Sequence, residues 1–276
     1  MIKAQIISNW KIEGDNPFGN IFYFNIPVEL YIDKYPTNPI PDNVVRFVLS
    51  HEPHPHISVK ACYHPEYYNY LLTWKEEHLQ NIPNSIFFHA FDNWCGDYVA
   101  REKEFAVSTV VGEKNEFAGH SMRQALYLRQ NEIKIPKKFY LSGTKKWAAI
   151  DYTDKLILDT KTKDALWDTQ FHIAIENIHF NNWFTEKLID CFITRTVPIY
   201  IGAPNILTYF DAGGMIMCDT VDEIIEKCNV LTPDTYNDKK EGMEYNFNHV
   251  DLWTAMPYKT KAKMDLILKE HVKLCD

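Results

Sequence analysis

Through the first third of the chain, apolar residues come in short unbroken runs rather than helical stripes. "VVRFVLS" at 44–50 is continuously β-branched, aromatic or aliphatic around one arginine, the pattern of a strand buried on both faces. "KAQIIS" (3–8), "NIFYFNIP" (20–27), "YNYLLTW" (68–74) and "SIFFHAF" (85–91) predict further strands. "PTNPIPDN" (36–43) is rich in breakers and reads as a connection. Short helical pieces between such strands predict an α/β domain.

The pattern changes near 95–104, "CGDYVAREKE", which is polar and charged. A domain boundary there divides the chain into 1–98 and 99–276. Beyond it, "FAVSTVV" (105–111) predicts a strand and "SMRQALYLRQN" (121–131) a helix. "DALWDTQ" (164–170) then leads into the strand "FHIAIE" (171–176), a polar loop, the helix "TEKLIDCFI" (185–193) and the strand "VPIYIG" (197–202). Leu188, Ile189, Phe192 and Ile193 fall on one side of that helix. Strand, helix and strand joined by short turns build a parallel sheet. "VDEIIEKCN" (221–229) and "TKAKMDLILKEHVKL" (260–274) predict two more amphipathic helices.

Composition narrows the class. The 276 residues, 46% hydrophobic, suffice for two modest cores. A net charge of -8 excludes a general nucleic-acid binder, which carries a basic face. No CxxC pair occurs among Cys62, Cys95, Cys191, Cys218, Cys228 and Cys275, and several sit in apolar runs, so buried free thiols are expected. No run approaches the ~20 apolar residues of a spanning helix, and the first residues lack a secretory apolar segment. The expectation is a cytoplasmic protein without a membrane span.

Candidate chemistry concentrates in 171–204. A loop leaves a buried strand and feeds a helix start, where open α/β sheets bind ligands and unpaired N–H groups favour phosphate. Lys187 adds a positive charge in the first turn, and Glu186 is placed to accept from sugar or ribose hydroxyls. Asn177 and Trp183 lie in the loop, where they offer polar and stacking contacts. In the plainer reading, Thr185 caps the helix, Glu186 complements its dipole and Lys187 is solvated. A second feature is "HEPHPH" (51–56), with His51, His54 and His56 around Glu52. It admits a metal site, a polar turn, or the setting of one catalytic carboxylate.

The combined pattern resembles the donor-site signature of the α-1,3-fucosyltransferases, glycosyltransferase family 10. The resemblance rests on Glu176-Asn177, then Trp183-Phe184-Thr185-Glu186-Lys187, then Val197-Pro198-Ile199 and Gly202. Trp183 stands where many members carry Tyr. Upstream, "IISNW" (6–10), "FAVSTVV" followed by "SMRQAL", and "RFVLSHEP" (46–53) are similar to family strands. The resemblance is dense over 170–215, moderate around 46–53 and 105–127, and thin elsewhere.

The resemblance implies the GT-B fold, α/β with two Rossmann-like domains facing a cleft, the first on the acceptor side and the second holding the donor. It implies an inverting, metal-independent transfer from a nucleotide-diphosphate sugar, GDP-fucose first, to a hydroxyl of an oligosaccharide or glycoprotein. No cofactor is required. Glu52 is the implied general base. Arg123, with Glu176, Asn177, Trp183, Thr185, Glu186 and Lys187, is the implied donor set, Arg123 and Lys187 meeting the diphosphate. His51, His54 and His56 are placed on the acceptor side. Two alternatives stand beside this: the same fold with a UDP-sugar such as UDP-xylose, and a sugar- or nucleotide-binding protein without catalysis. A zinc hydrolase built on the histidines is a third.

Overall fold

A computed structural model describes residues 1–8, 20–53, 64, 66–89, 93–95, 98–142, 156–158, 163–250 and 256–275. His54, His56 and Cys62 and the Asn-Trp of 9–10 lie outside the described residues. The chain forms two compact units, Met1–Phe91 with Ala255–Asp276, and Asp92–Thr254.

In the first unit, β1 (Ile2–Lys3) pairs antiparallel with β3 (Tyr23–Phe24). The main sheet is parallel, in the order β2 (Gln5–Ser8), β4 (Val28–Ile32), β5 (Val45–Ser50), β6 (Tyr70–Thr73) and β7 (Ser85–Phe87). All six residues of β5 are buried, as its apolar run predicts for a strand covered on both faces. Alternate residues face opposite layers. Phe47 and Leu49 join one core with Leu30, Ile32 and Leu72, whereas Val48 joins another with Tyr68, Leu71 and Ile82. The short helix α1 (Glu76–Asn81) was not foreseen.

The helix Met256–Cys275 corrects the expected division of the chain. Counted with the second domain by its position, it packs on the first sheet instead. Met256, Met264, Ile267 and Leu268 enter the core of Leu30, Phe47 and Leu49, and Tyr70 Oη lies 2.8 Å from His271 Nδ1. Its apolar stripe predicts a helix but does not say which sheet it covers.

The second unit carries a parallel sheet in the order β10 (Leu156–Leu158), β9 (Lys137–Ser142), β8 (Glu104–Val111), β11 (Thr169–Ile175), β12 (Val197–Ile201) and β13 (Ile216–Met217). Helices α2 (Ala118–Leu128) and α4 (Val221–Asn229) bring Leu126, Tyr127, Ile224 and Ile225 to a core with Val107, Ile173 and Ile199. The helix α3 (Glu186–Ile193) covers the other face, with Leu188, Ile189 and Phe192 against Ala174 and Tyr200. Those three side chains are fully buried, each stabilising by roughly 1.5–3 kcal/mol. Helices α5 (Pro233–Asp238) and α6 (Lys240–His249) follow. Cys95, Cys191, Cys218 and Cys228 are buried free thiols, as expected.

Candidate functional site

Two clusters stand at the carboxyl ends of parallel strands, one in each unit. The larger is in the second unit, where β11 ends at Ile175 and β12 at Ile201 in flush register. Glu176 extends the ladder, its N–H donating to Ile201 O at 2.8 Å. Its carboxylate then turns to the start of α3. The Thr185 N–H donates to Oε1 at 2.7 Å and the Thr185 hydroxyl to Oε2 at 2.8 Å. Thr185 is the N-cap, its oxygen accepting from the Lys187 N–H. One buried acid thus ties the strand end to the helix start. Gly202 makes room for it, since a Cβ there would lie 2.7 Å from Glu176 Cγ and 2.1 Å from Tyr200 Oη.

Charge is concentrated around this tie. Lys187 Nζ donates to Glu186 Oε1 at 2.8 Å and to Thr185 Oγ1 at 3.2 Å, and stands 3.9 Å from Glu176 Oε2. Burial pushes the Glu176 carboxyl up and Glu186 adds to this, against the pull of Lys187 and the bonds from Thr185. Burial acts the same way on Glu186, but the charge of Lys187 wins and lowers it. Lys187 is raised: its two carboxylate neighbours outweigh burial. A quarter of the Lys187 side chain remains accessible.

Arg123 reaches the same strand end from α2. It donates to Ile175 O, and to Asn177 Oδ1 at 2.7 Å. Burial lowers its proton affinity, with Glu176 and Glu186 opposing, and an arginine remains a cation at neutral pH. One turn earlier, the Gly119 N–H donates to Asn177 O at 3.1 Å. The structure therefore brings together Arg123, Glu176, Asn177, Thr185, Glu186 and Lys187. Trp183 behaves differently: it is 2% exposed and has no open face for stacking. The loop it closes is held by Asn182, in a left-handed conformation at φ 64°, whose Oδ1 accepts from Asn205 Nδ2 at 2.7 Å and Tyr209 Oη at 2.5 Å.

Sequence reasoning missed the second acid of α3. Asp190 is 1% exposed, and its Oδ1 accepts from the Trp94 N–H at 2.9 Å and the Cys95 thiol at 3.3 Å. Burial pushes it up to about 7 despite the Trp94 bond. Lys163 was also missed. Burial brings it down to about 8, with Glu186 and Asp190 acting in the opposite sense. Asp190 falls off the apolar side of Leu188, Ile189, Phe192 and Ile193, and its partners Trp94 and Cys95 lie far along the chain, so no local signal marked it.

The smaller cluster is in the first unit. Glu52 lies just past β5, with 42% of its side chain accessible. His51 Nδ1 is 3.7 Å from Glu52 Oε1 and 3.5 Å from Asp33 Oδ2. Asp33 follows the neighbouring strand β4 and escaped the sequence reading. Among the described residues, no group of three or more His, Cys, Asp or Glu could hold a metal ion. No helix among them is long and apolar enough to cross a membrane.

The folded chain is similar to solved glycosyltransferases. A crystal structure of an α1,3-fucosyltransferase covers 95% of this chain and 91% of its own, at 15% identity and a TM-score of 0.53. An α1,3-fucosyltransferase with GDP covers 89% and 82%, at 15% identity and a TM-score of 0.54. A mutant of TarM from S. aureus, in complex with Fondaparinux, alpha-GlcNAc-glycerol and UDP, covers 87% of this chain and 55% of its own, at 12% identity and a TM-score of 0.53. No family model matches the sequence, and no curated protein matches it. The fold is GT-B, α/β with two Rossmann-like units, each on a parallel sheet.

Proposed function

We propose that this chain is an inverting glycosyltransferase that moves a sugar from a nucleotide-diphosphate sugar to a glycan hydroxyl. The observation that carries the reading is the meeting of Arg123, Asn177, Thr185, Glu186 and Lys187 around the tie between Glu176 and the α3 start. A helix N-terminus flanked by a guanidinium and an ammonium suits a diphosphate. The same groups would stabilise charge developing on it as it leaves. The anomeric carbon would accept the hydroxyl's electron pair as its bond to the diphosphate oxygen breaks. Glu52 would take the hydroxyl proton, a role a partly exposed carboxylate can fill. The units would then divide the work, Met1–Phe91 with Ala255–Asp276 towards the acceptor and Asp92–Thr254 towards the donor. His51 would sit beside the base on the acceptor side.

GDP-fucose is the favoured donor, on the likeness of 176–187 and 197–202 to the fucosyltransferase signature. The buried Trp183 and the loop "IHFNN" (178–182) motivate the second reading, a UDP-sugar such as UDP-xylose, because this loop borders the donor set.

Calorimetric titration with GDP and with UDP tests both readings. Binding of GDP, weakened about tenfold or more by Arg123→Lys because an ammonium cannot reproduce the guanidinium's paired hold on Ile175 O and Asn177 Oδ1, is the expected result. Binding of UDP with none of GDP would overturn the fucose donor. Binding of neither would overturn the function.

A further inference from the structure

Asp33 is an acid at a strand end that does more than cap a turn. It adopts φ 50°, a conformation that disfavours most side chains but admits Asp, Asn and Gly. Its side chain is 1% exposed. One carboxylate oxygen, Oδ1, accepts from two successive backbone amides, His51 N at 2.7 Å and Glu52 N at 2.8 Å. The other, Oδ2, stands 3.5 Å from His51 Nδ1.

The sheet explains how this comes about. β4 and β5 are parallel neighbours in register, Ile32 opposite Leu49. The Asp33 N–H continues the ladder by donating to Leu49 O at 2.9 Å. The side chain of the residue after β4 then meets the backbone of the residues after β5. A third strand closes the arrangement: Trp74, after β6, donates its Nε1–H to His51 O at 3.2 Å. His51 is held from both sides of its peptide, and Glu52 by its amide. Of the three side chains, Glu52 is the most exposed, at 42% against 18% for His51 and 1% for Asp33.

We propose that Asp33 is the positioning residue for Glu52. It fixes the direction in which the Glu52 side chain leaves the sheet and holds the His51 ring beside that carboxylate. The inference rests on the reading of Glu52 as the base. Charge-assisted bonds to two adjacent amides are strong and directional. A base displaced by about 1 Å loses on the order of 10²-fold in rate.

The test measures hydrolysis of GDP-fucose by the full chain, with kcat and KM for wild type, Asp33→Gly, Asp33→Asn and Glu52→Gln. Gly suits φ 50° and removes the acceptor, whereas Asn suits it and keeps an oxygen at Oδ1. Asp33→Gly is expected to lose about 100-fold in kcat with KM within about twofold, and Asp33→Asn to retain kcat within about fivefold. A role in stability alone would lower the melting temperature of Asp33→Gly and leave kcat at the wild-type value, which overturns the proposal. Equal losses in both variants overturn it too, since the amide acceptor would then not be what matters. Glu52→Gln at the wild-type rate removes the base reading itself, a separate failure. Amide hydrogen exchange in wild type decides the matter if Asp33→Gly does not fold: the His51 and Glu52 amides are expected to be protected, and exchange at free-loop rates would sink the proposal.

Discussion

Gly119 lies directly against the backbone of Glu176: a Cβ at position 119 would sit 1.8 Å from the Glu176 carbonyl oxygen and 3.0 Å from Asn177 Cα. The first turn of α2 and the end of β11 approach as closely as a missing side chain allows. Alanine is the better helix former by about 1 kcal/mol, so propensity alone makes Gly119→Ala stabilising. The contact reverses the sign, because the atom met is backbone and must move. A net loss of roughly 1–3 kcal/mol is expected, read as a lower urea midpoint. Nucleotide affinity should fall with it, since the displaced backbone carries Glu176 and Asn177. An unchanged midpoint would contradict this packing.

Thr185→Val keeps the shape of the side chain and removes its oxygen. The helix loses its cap, and Glu176 Oε2 loses a donor in a site with no exposure. The two losses together cost about 2–4 kcal/mol. Thr185→Ser, which restores the hydroxyl, is expected to recover most of it. Thermal unfolding of the pair measures the hydroxyl without the methyl.

Asp190 makes stability depend on pH in the direction opposite to a salt-bridged acid. Its folded value, about 7, lies above the ordinary aspartate value near 4. The native state therefore binds more protons than the unfolded state between those limits. The contribution is fully present below about pH 4 and is lost as pH rises through 7. Asp190→Asn keeps an oxygen for Trp94 N and removes the titration. Relative to wild type it should gain stability steadily from pH 4 to 7, by at most about 4 kcal/mol. Chemical denaturation across that range checks it, and a pH-independent difference would refute it.

The strands with unbroken apolar runs, β5, β8, β11 and β12, were legible in the sequence because burial on both faces leaves no polar alternation to misread. β4 was not. Its Glu29 and Tyr31 are half-buried, and Glu29 is there to pair with Arg46 at 2.6 Å, a cross-strand reason invisible along the chain. The run at 20–27 took its place in the reading, although only Tyr23–Phe24 is strand there. Asn177 and the residues from Thr185 to Lys187 were legible because local spacing sets them on one loop and one helix turn, whereas Arg123, 54 positions from Asn177, was implied only by the family resemblance. Asp33 was not legible. Its partners are backbone amides eighteen and nineteen positions away, brought near only by strand register. Gly119 was equally silent, since a missing side chain matters only against a particular carbonyl.

The helix 256–275 gives the first unit a discontinuous pedigree. The second unit, 92–254, is in effect an insertion within the first. During synthesis the whole inserted unit emerges before Met264 and Leu268 can reach Phe47 and Leu49. The sheet that carries Glu52 thus lacks Met256, Met264, Ile267 and Leu268 from one of its cores until that helix leaves the ribosome.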